Sequence, residues 1–230
     1  SVTAGRADRL VQTTCTYCGI GCQLDLNVKD GKIIRVTSNH EADGGSVNGL
    51  HLCLKGRYGY EFIHHPRRHN KPRVREYLLK GEPRPNGRGK FVEVDWDTAL
   101  DIAARGLKKV RDEDGAKIGV LASGRCLNEE SYLLNKLARH ALETNNIDLT
   151  SNLYYHSEVD GLFDSLGLPA MTNSLDDIAA NAKAFFVIGS NLTEAHPVLG
   201  ARIRQNILRR HIKMVVASPD FINIEEYAAL

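Results

Sequence analysis

The sequence predicts an α/β protein: a small, β-rich N-terminal module followed by a mostly parallel sheet layered with helices. Two observations carry this. Four of the five cysteines, Cys15, Cys18, Cys22 and Cys53, crowd the first quarter of the chain. Beyond residue 91, short apolar runs alternate with stretches of helical period, which is how βα units and a parallel sheet read. The chain has 230 residues, 42% hydrophobic and 25% charged. That is an ordinary soluble composition, long enough for one small and one larger domain.

Taken in order, "QLDLNV" (23–28) alternates apolar and polar residues, "KDGK" supplies an Asp-Gly turn and "IIRVTS" (33–38) resumes the alternation. This is a β-hairpin signal. The turn-rich stretch 39–50 returns the chain towards Cys53. Residues 63–96 are rich in Pro, Arg and Gly and read as a connecting segment with little core, ending in a strand at 91–96. Asp97 is expected to cap a helix whose stripe is Leu100, Ala103, Ala104, Leu107 and Val110. A strand over 117–123, a helix over 128–144 with Leu133, Leu134, Leu137, Ala141 and Leu142 on one face, a buried-type strand over 184–191, a helix over 194–210 and a strand over 213–220 complete the pattern. The expected domains are 1–62, a connector at 63–96, and 97–230. Ligands in such sheets gather at the carboxyl ends of strands. "ASGRCLNEE", "VIGSNLTEAHP" and "VASPD" hold that address.

The net charge of +2 implies no general polyanion partner, so nucleic acid is not expected. The basic stretches 64–75 and 202–213 read as an irregular surface segment and a solvated helix face. No apolar run approaches the ~18 residues that span a bilayer, and neither a signal peptide nor a twin-arginine start is evident. An odd number of clustered cysteines argues against a disulfide framework. The expected setting is reducing and cytoplasmic, without membrane insertion.

The cysteines have the form C-x2-C-x3-C-x30-C. Three closely spaced thiolates can each reach a different iron of one cubane, with the fourth ligand drawn from afar. Gly19 and Gly21 remove bulk where backbone nears the cluster. Structural zinc usually pairs two knuckles, and only one is present, so the spacing favours iron–sulfur while leaving zinc open. Cys126 lies outside the set and reads as a small buried hydrophobe. Lys55 is either a surface lysine or a cation between the cluster and a second redox group.

"TTCTYCGIGCQLDL", "LCLKGRYGYEFIHHPRR", "NEESYLLNKLAR", "TNNID", "AMTNSLDDI" and "VIGSNLTEAHPV" together resemble the molybdopterin oxidoreductases, and most closely the α subunits of molybdenum- or tungsten-dependent formate dehydrogenases. The resemblance implies a [4Fe-4S] cluster on Cys15, Cys18, Cys22 and Cys53. It places Lys55 between cluster and pterin, and gives a Rossmann-like α/β region the task of binding molybdopterin guanine dinucleotide. By the same resemblance Gly189, Ser190 and Asn191 contact that cofactor, with Glu194 and His196 nearby and Asn128 and Glu129, beside Cys126, in the same wall.

The sequence departs from the family at three places. Tyr154 stands where the active enzymes carry a metal-ligating cysteine or selenocysteine. Tyr155 stands where they carry a proton-handling histidine, and His156 falls one place late. Asp220, expected to receive the guanine, follows Pro219 where the family has an Asp-Pro-Arg turn. The chain is also far shorter than the family's catalytic subunits. The expected function is therefore an iron–sulfur electron-transfer subunit resembling a truncated α subunit, with a degenerate molybdenum site and with flavin or iron–sulfur proteins as partners. The alternatives are the N-terminal part of an active formate dehydrogenase and a zinc-stabilised non-redox scaffold. Tyr58, Tyr60 and Phe62 are candidates for docking a partner, against a plain core role.

Overall fold

The structure, a computed structural model, describes residues 6–39, 45–150 and 152–229, with residues 152–154 as backbone only. In chain order the strands are β1 Arg9–Thr14, β2 Gln23–Lys29, β3 Lys32–Ser38, β4 Arg73–Arg75, β5 Phe91–Glu93, β6 Val120–Ala122, β7 Ile147–Leu149, β8 Ala184–Ile188 and β9 Lys213–Ala217. The helices are α1 Leu54–Tyr58, α2 Glu76–Lys80, α3 Trp96–Asp114, α4 Asn128–Lys136, α5 Asn152–Leu166, α6 Leu175–Asn181, α7 Leu192–Ala195 and α8 Pro197–Arg210. The chain forms two compact units: one from residues 1–64 with 153–230, the other from 65–152.

In the first unit, β1, β2 and β3 make an antiparallel sheet in that order. Asp30 and Gly31 both have positive φ, 49° and 73°, the backbone that a two-residue hairpin turn needs to match strand twist. A bulge falls between Asn27 and Val28. Asn27 is buried there and satisfied: its Nδ2 donates to Thr37 Oγ1 (3.1 Å), and its Oδ1 accepts from Arg35 Nη2 (3.0 Å). Strand β1 goes beyond the predicted hairpin.

Strands β8 and β9 pair in parallel, with Phe186 opposite Val215. Phe185 and Val187 point into a core with Leu192, Ile203, Met214, Ile222 and Ile224. Helix α6 is capped by Ser174, whose Oγ accepts from Asp177 N at 3.1 Å. It is tied to α8 by Asn206 and Arg210, which donate to backbone carbonyls in 179–180. A second core joins Cys22, Leu24 and Val36 to Val198 of α8. The helix expected over 194–210 is thus two helices. The break falls at His196, where Pro197 disfavours helical backbone in the residue before it.

In the second unit, β4 and β5 form an antiparallel ribbon, with the Arg75 guanidinium 3.6 Å from the centre of the Phe91 ring. The connecting segment therefore carries a ribbon and helix α2, and the strand expected over 91–96 ends at Glu93. Asp95, not Asp97, caps α3: its Oδ1 accepts from Thr98 N at 2.7 Å, which leaves Asp97 inside the first turn. Strands β6 and β7 are parallel. The helix expected over 128–144 gives way after Lys136 to a π-helical turn, Leu137–Ala141. This unit's buried apolar residues are Ile118, Ala122, Ala138 and Leu142. Leu100 of α3 is 60% exposed and Leu133 of α4 is 59% exposed. Parallel pairing is therefore realised as two separate strand pairs.

Candidate functional site

The cysteine loop is closed at both ends by the backbone. Cys15 N donates to Cys22 O at 2.8 Å, at the ends of β1 and β2. Gly21, at φ +77°, makes the reversal that a side chain would resist. Tyr17, inside the loop, donates its hydroxyl to Gly59 O, and the Tyr17 ring occupies the space a Cβ on Gly59 would need. The loop and the end of α1 are thus held together.

Cys53 comes from far along the chain after Cys22, and Asn48 brings it in. The Asn48 side chain is completely buried. Its Oδ1 accepts from Gln23 N (2.7 Å), the residue after Cys22, and its Nδ2 donates to His51 O (2.9 Å). Cys53 then caps α1, its Sγ accepting from Gly56 N at 3.5 Å. Gly56 is buried, and a Cβ there would stand 3.8 Å from Cys15 Sγ. No sequence signal marked Asn48, because a turn-rich stretch reads as loop whatever its side chains hold.

Cys15, Cys18, Cys22 and Cys53 all line one cavity, walled also by Gly21, Leu52, Gly56, Pro197 and Val198. All four are free thiols. Burial pushes the Cys22 thiol up to about 12, and the neighbouring Cys15, Cys18 and Cys53 add to the rise. Cys15 is raised by burial first and by Cys18 and Cys53 after it. Four thiolates so placed repel one another unless a cationic core lies between them, and loading such a core drives the protons off. Among the described residues no three His, Cys, Asp or Glu side chains converge to hold a single ion. The donor set, all thiol and hemmed by glycine, fits an iron–sulfur cubane.

A second pocket, about 740 Å³, adjoins this cavity and is lined by Lys55, Arg57, Tyr58, Thr193 and Glu194 among others. That volume falls within the roughly 300–1,000 Å³ usual for cofactor sites. Lys55 and Glu194 thus meet in one place. Gly189 (φ +60°) ends β8, and its N donates to Ala217 O at 2.8 Å. Asn191 Oδ1 accepts from Thr193 Oγ1 at 3.0 Å. His196 is half-buried, and burial lowers the pKa of its imidazole. Gly189, Ser190, Asn191, His196 and Asp220 do not line the pocket.

In the second unit Asn128 and Glu129 lie exposed in the first turn of α4. Glu130, not singled out from the sequence, accepts from Leu127 N at 2.8 Å and secures that helix start. Cys126 is half-buried rather than buried. Tyr155 is exposed on α5, and His156 Nε2 lies 3.4 Å from Asp160 Oδ2; the side chain of Tyr154 lies outside the described residues. Tyr60 donates to Ile34 O (3.0 Å) and packs against the cysteine core, while Tyr58 and Phe62 are exposed.

A cavity walled by four thiols and by the start of α8, in the unit that carries the parallel pair β8–β9, marks an α/β protein suited to an iron–sulfur cluster. Family models agree: the molybdopterin oxidoreductase Fe4S4 domain matches residues 8–65 and the molybdopterin oxidoreductase domain matches residues 68–230. The chain belongs to the molybdopterin oxidoreductase family. Its Fe4S4 domain supports a [4Fe-4S] cluster, and its second domain admits a molybdopterin cofactor.

Relatives include the F420-dependent formate dehydrogenase subunit alpha of Methanocaldococcus jannaschii, 40% identical over 92% of this chain and 28% of that protein. The probable oxidoreductase YjgC of Bacillus subtilis is 36% identical over 94% of this chain and 21% of that protein. The chain thus spans less than a third of the length of these relatives. Among solved structures, acetylene hydratase from Pelobacter acetylenicus superposes with a TM-score of 0.65 at 18% identity, over 95% of this chain and 28% of that one. This likeness concerns the fold.

Proposed function

We propose that this chain is the electron-relaying, cluster-bearing part of a formate dehydrogenase-like α subunit. The observation that carries the reading is that Cys15, Cys18, Cys22 and Cys53 line one cavity beside the pocket holding Lys55. Bound there, a [4Fe-4S] cluster takes up and releases one electron at a time. The four cysteines would hold it as thiolates, Gly56 N donates towards the Cys53 sulfur, and Lys55, in the wall of the adjoining pocket, would supply positive charge that favours an added electron. The cluster domain spans 1–62, 63–96 connects, and 97–230 forms the pterin-facing region, with Asn128, Glu129, Gly189, Ser190, Asn191, Glu194, His196 and Asp220 as its candidate contacts.

The molybdenum site is degenerate in this reading. What supports it is the Tyr154–Tyr155 pair in place of a soft thiolate and a histidine, since a phenol of pKa ~10 is a poor metal ligand. The exposure of Tyr155 and the nearness of His156 to Asp160 add to it. Partners are flavin or iron–sulfur proteins in a reducing, cytoplasmic complex. Among the described residues no helix is long and apolar enough to cross a membrane.

The test is anaerobic purification followed by metal analysis and electron paramagnetic resonance. The reading expects iron and inorganic sulfide at about four each per chain, a reducible cluster signal, and neither molybdenum nor tungsten. Stoichiometric molybdenum with formate-dependent dye reduction shows instead an active dehydrogenase segment. Zinc without iron shows a scaffold.

A further inference from the structure

The cysteine cavity and the neighbouring pocket share part of their walls. Leu52, Cys53, Pro197 and Val198 line both. Of these, Leu52, Pro197 and Val198 carry purely hydrocarbon side chains, Leu52 from a part of the sequence distant from the other two. Val198 is 3% exposed and packs in one core with Cys22, Leu24 and Val36, and Leu52 packs against that core.

The place of Val198 is fixed by the backbone. Two residues on, a Cβ added to Gly200 would stand 3.2 Å from both C and O of Leu192, so the start of α8 lies close against α7. Beyond the shared wall the pocket carries the charged side chains Lys55, Arg57 and Glu194. Cys53 faces both spaces, and beside it Leu52, Pro197 and Val198 form the apolar part of the wall between the cysteine cavity and that pocket.

Resting on the reading above, we propose that Val198, with Leu52, is the apolar partition that holds down the potential of the cluster. A cubane on four thiolates is anionic, and reduction adds a further negative charge. Hydrocarbon on one wall solvates that charge poorly, whereas a hydrogen-bond donor or water there favours the reduced form. Val198 is thus a positioning residue that acts through the cluster environment rather than by ligation.

The test uses the full chain purified anaerobically, with the cluster titrated potentiometrically and followed by electron paramagnetic resonance. Val198→Thr keeps the shape of the side chain and adds a hydroxyl. The expected result is a higher midpoint potential, with the reduced-to-oxidised ratio at fixed potential raised about tenfold, ~59 mV for one electron. Val198→Ile keeps the wild-type potential. A purely structural role would lower iron content or melting temperature and leave the potential alone. A loaded V198T protein with the wild-type potential overturns the inference. Where V198T does not load, Leu52→Thr is read the same way, and a loaded L52T protein at the wild-type potential overturns it. Wild-type protein without any cluster signal overturns both this inference and the function on which it rests.

Discussion

Strand β8 in the first unit and helix α3 in the second both carry regular apolar patterns, yet only one closes a core. Phe185 and Val187 alternate along β8 into a cluster with Met214 and Ile224, both fully buried. Leu100 and Leu107 keep the helical period along α3 and remain exposed. Period dictates which element forms; burial depends on what packs against it. In the first unit, side chains distant in sequence close on one another, as Val198 does with Cys22. The second unit buries a short set around Ile118 and Leu142.

The largest effect expected of that contrast concerns sulfur. Replacing any one of Cys15, Cys18, Cys22 or Cys53 by serine removes the visible absorbance and magnetic signal of the cluster, while Cys126→Ser in the second unit keeps both. Retention of a full signal in C22S protein would break the comparison at its root.

Core truncation comes next. Met214→Ala should cost about 2–5 kcal/mol in urea unfolding, whereas Leu107→Ala on the exposed stripe should stay within ~0.5 kcal/mol. Equal losses would mean that α3 is covered as fully as β9.

The cap of α3 gives a smaller change. Asp95→Ala removes the acceptor for Thr98 N and should cost about 1 kcal/mol, and Asp97→Ala should cost less, which checks the reassigned cap by the same denaturation.

Alkaline pH gives the mildest contrast. In cluster-free protein the folded state holds the Cys22 proton to about 12, against an ordinary value of 9.0. Unfolding above 9 therefore releases a proton, and the stability this thiol confers is present below 9 and fades as pH climbs towards 12. Thermal melts across that range should fall for the free protein and be flatter for the loaded one, in which the sulfurs are already deprotonated.

The sequence showed the hairpin around Asp30-Gly31, the strands β6, β8 and β9, and the four thiols, because alternation, apolar runs and cysteine spacing are local signals. It misplaced the cap of α3, since Asp95 and Asp97 are equally good acceptors and only backbone geometry chooses between them. It passed over β7, α5 and α6, whose short or weakly periodic stretches carry little local pattern. Asn48, Leu52 and Val198 were silent as well. Each matters through a partner far along the chain, and an ordinary asparagine, leucine or valine gives no hint of that. Lys55 and Glu194 line one pocket, whereas Asp220 is exposed and not part of its lining.

The knot of hydrogen bonds around Asn48 bears on how such a centre is assembled. It fastens the stretch before the fourth sulfur to the strand that follows the third through amide and carbonyl groups. Loss of the Asn48 side chain would free that stretch from β2 and loosen the position of Cys53.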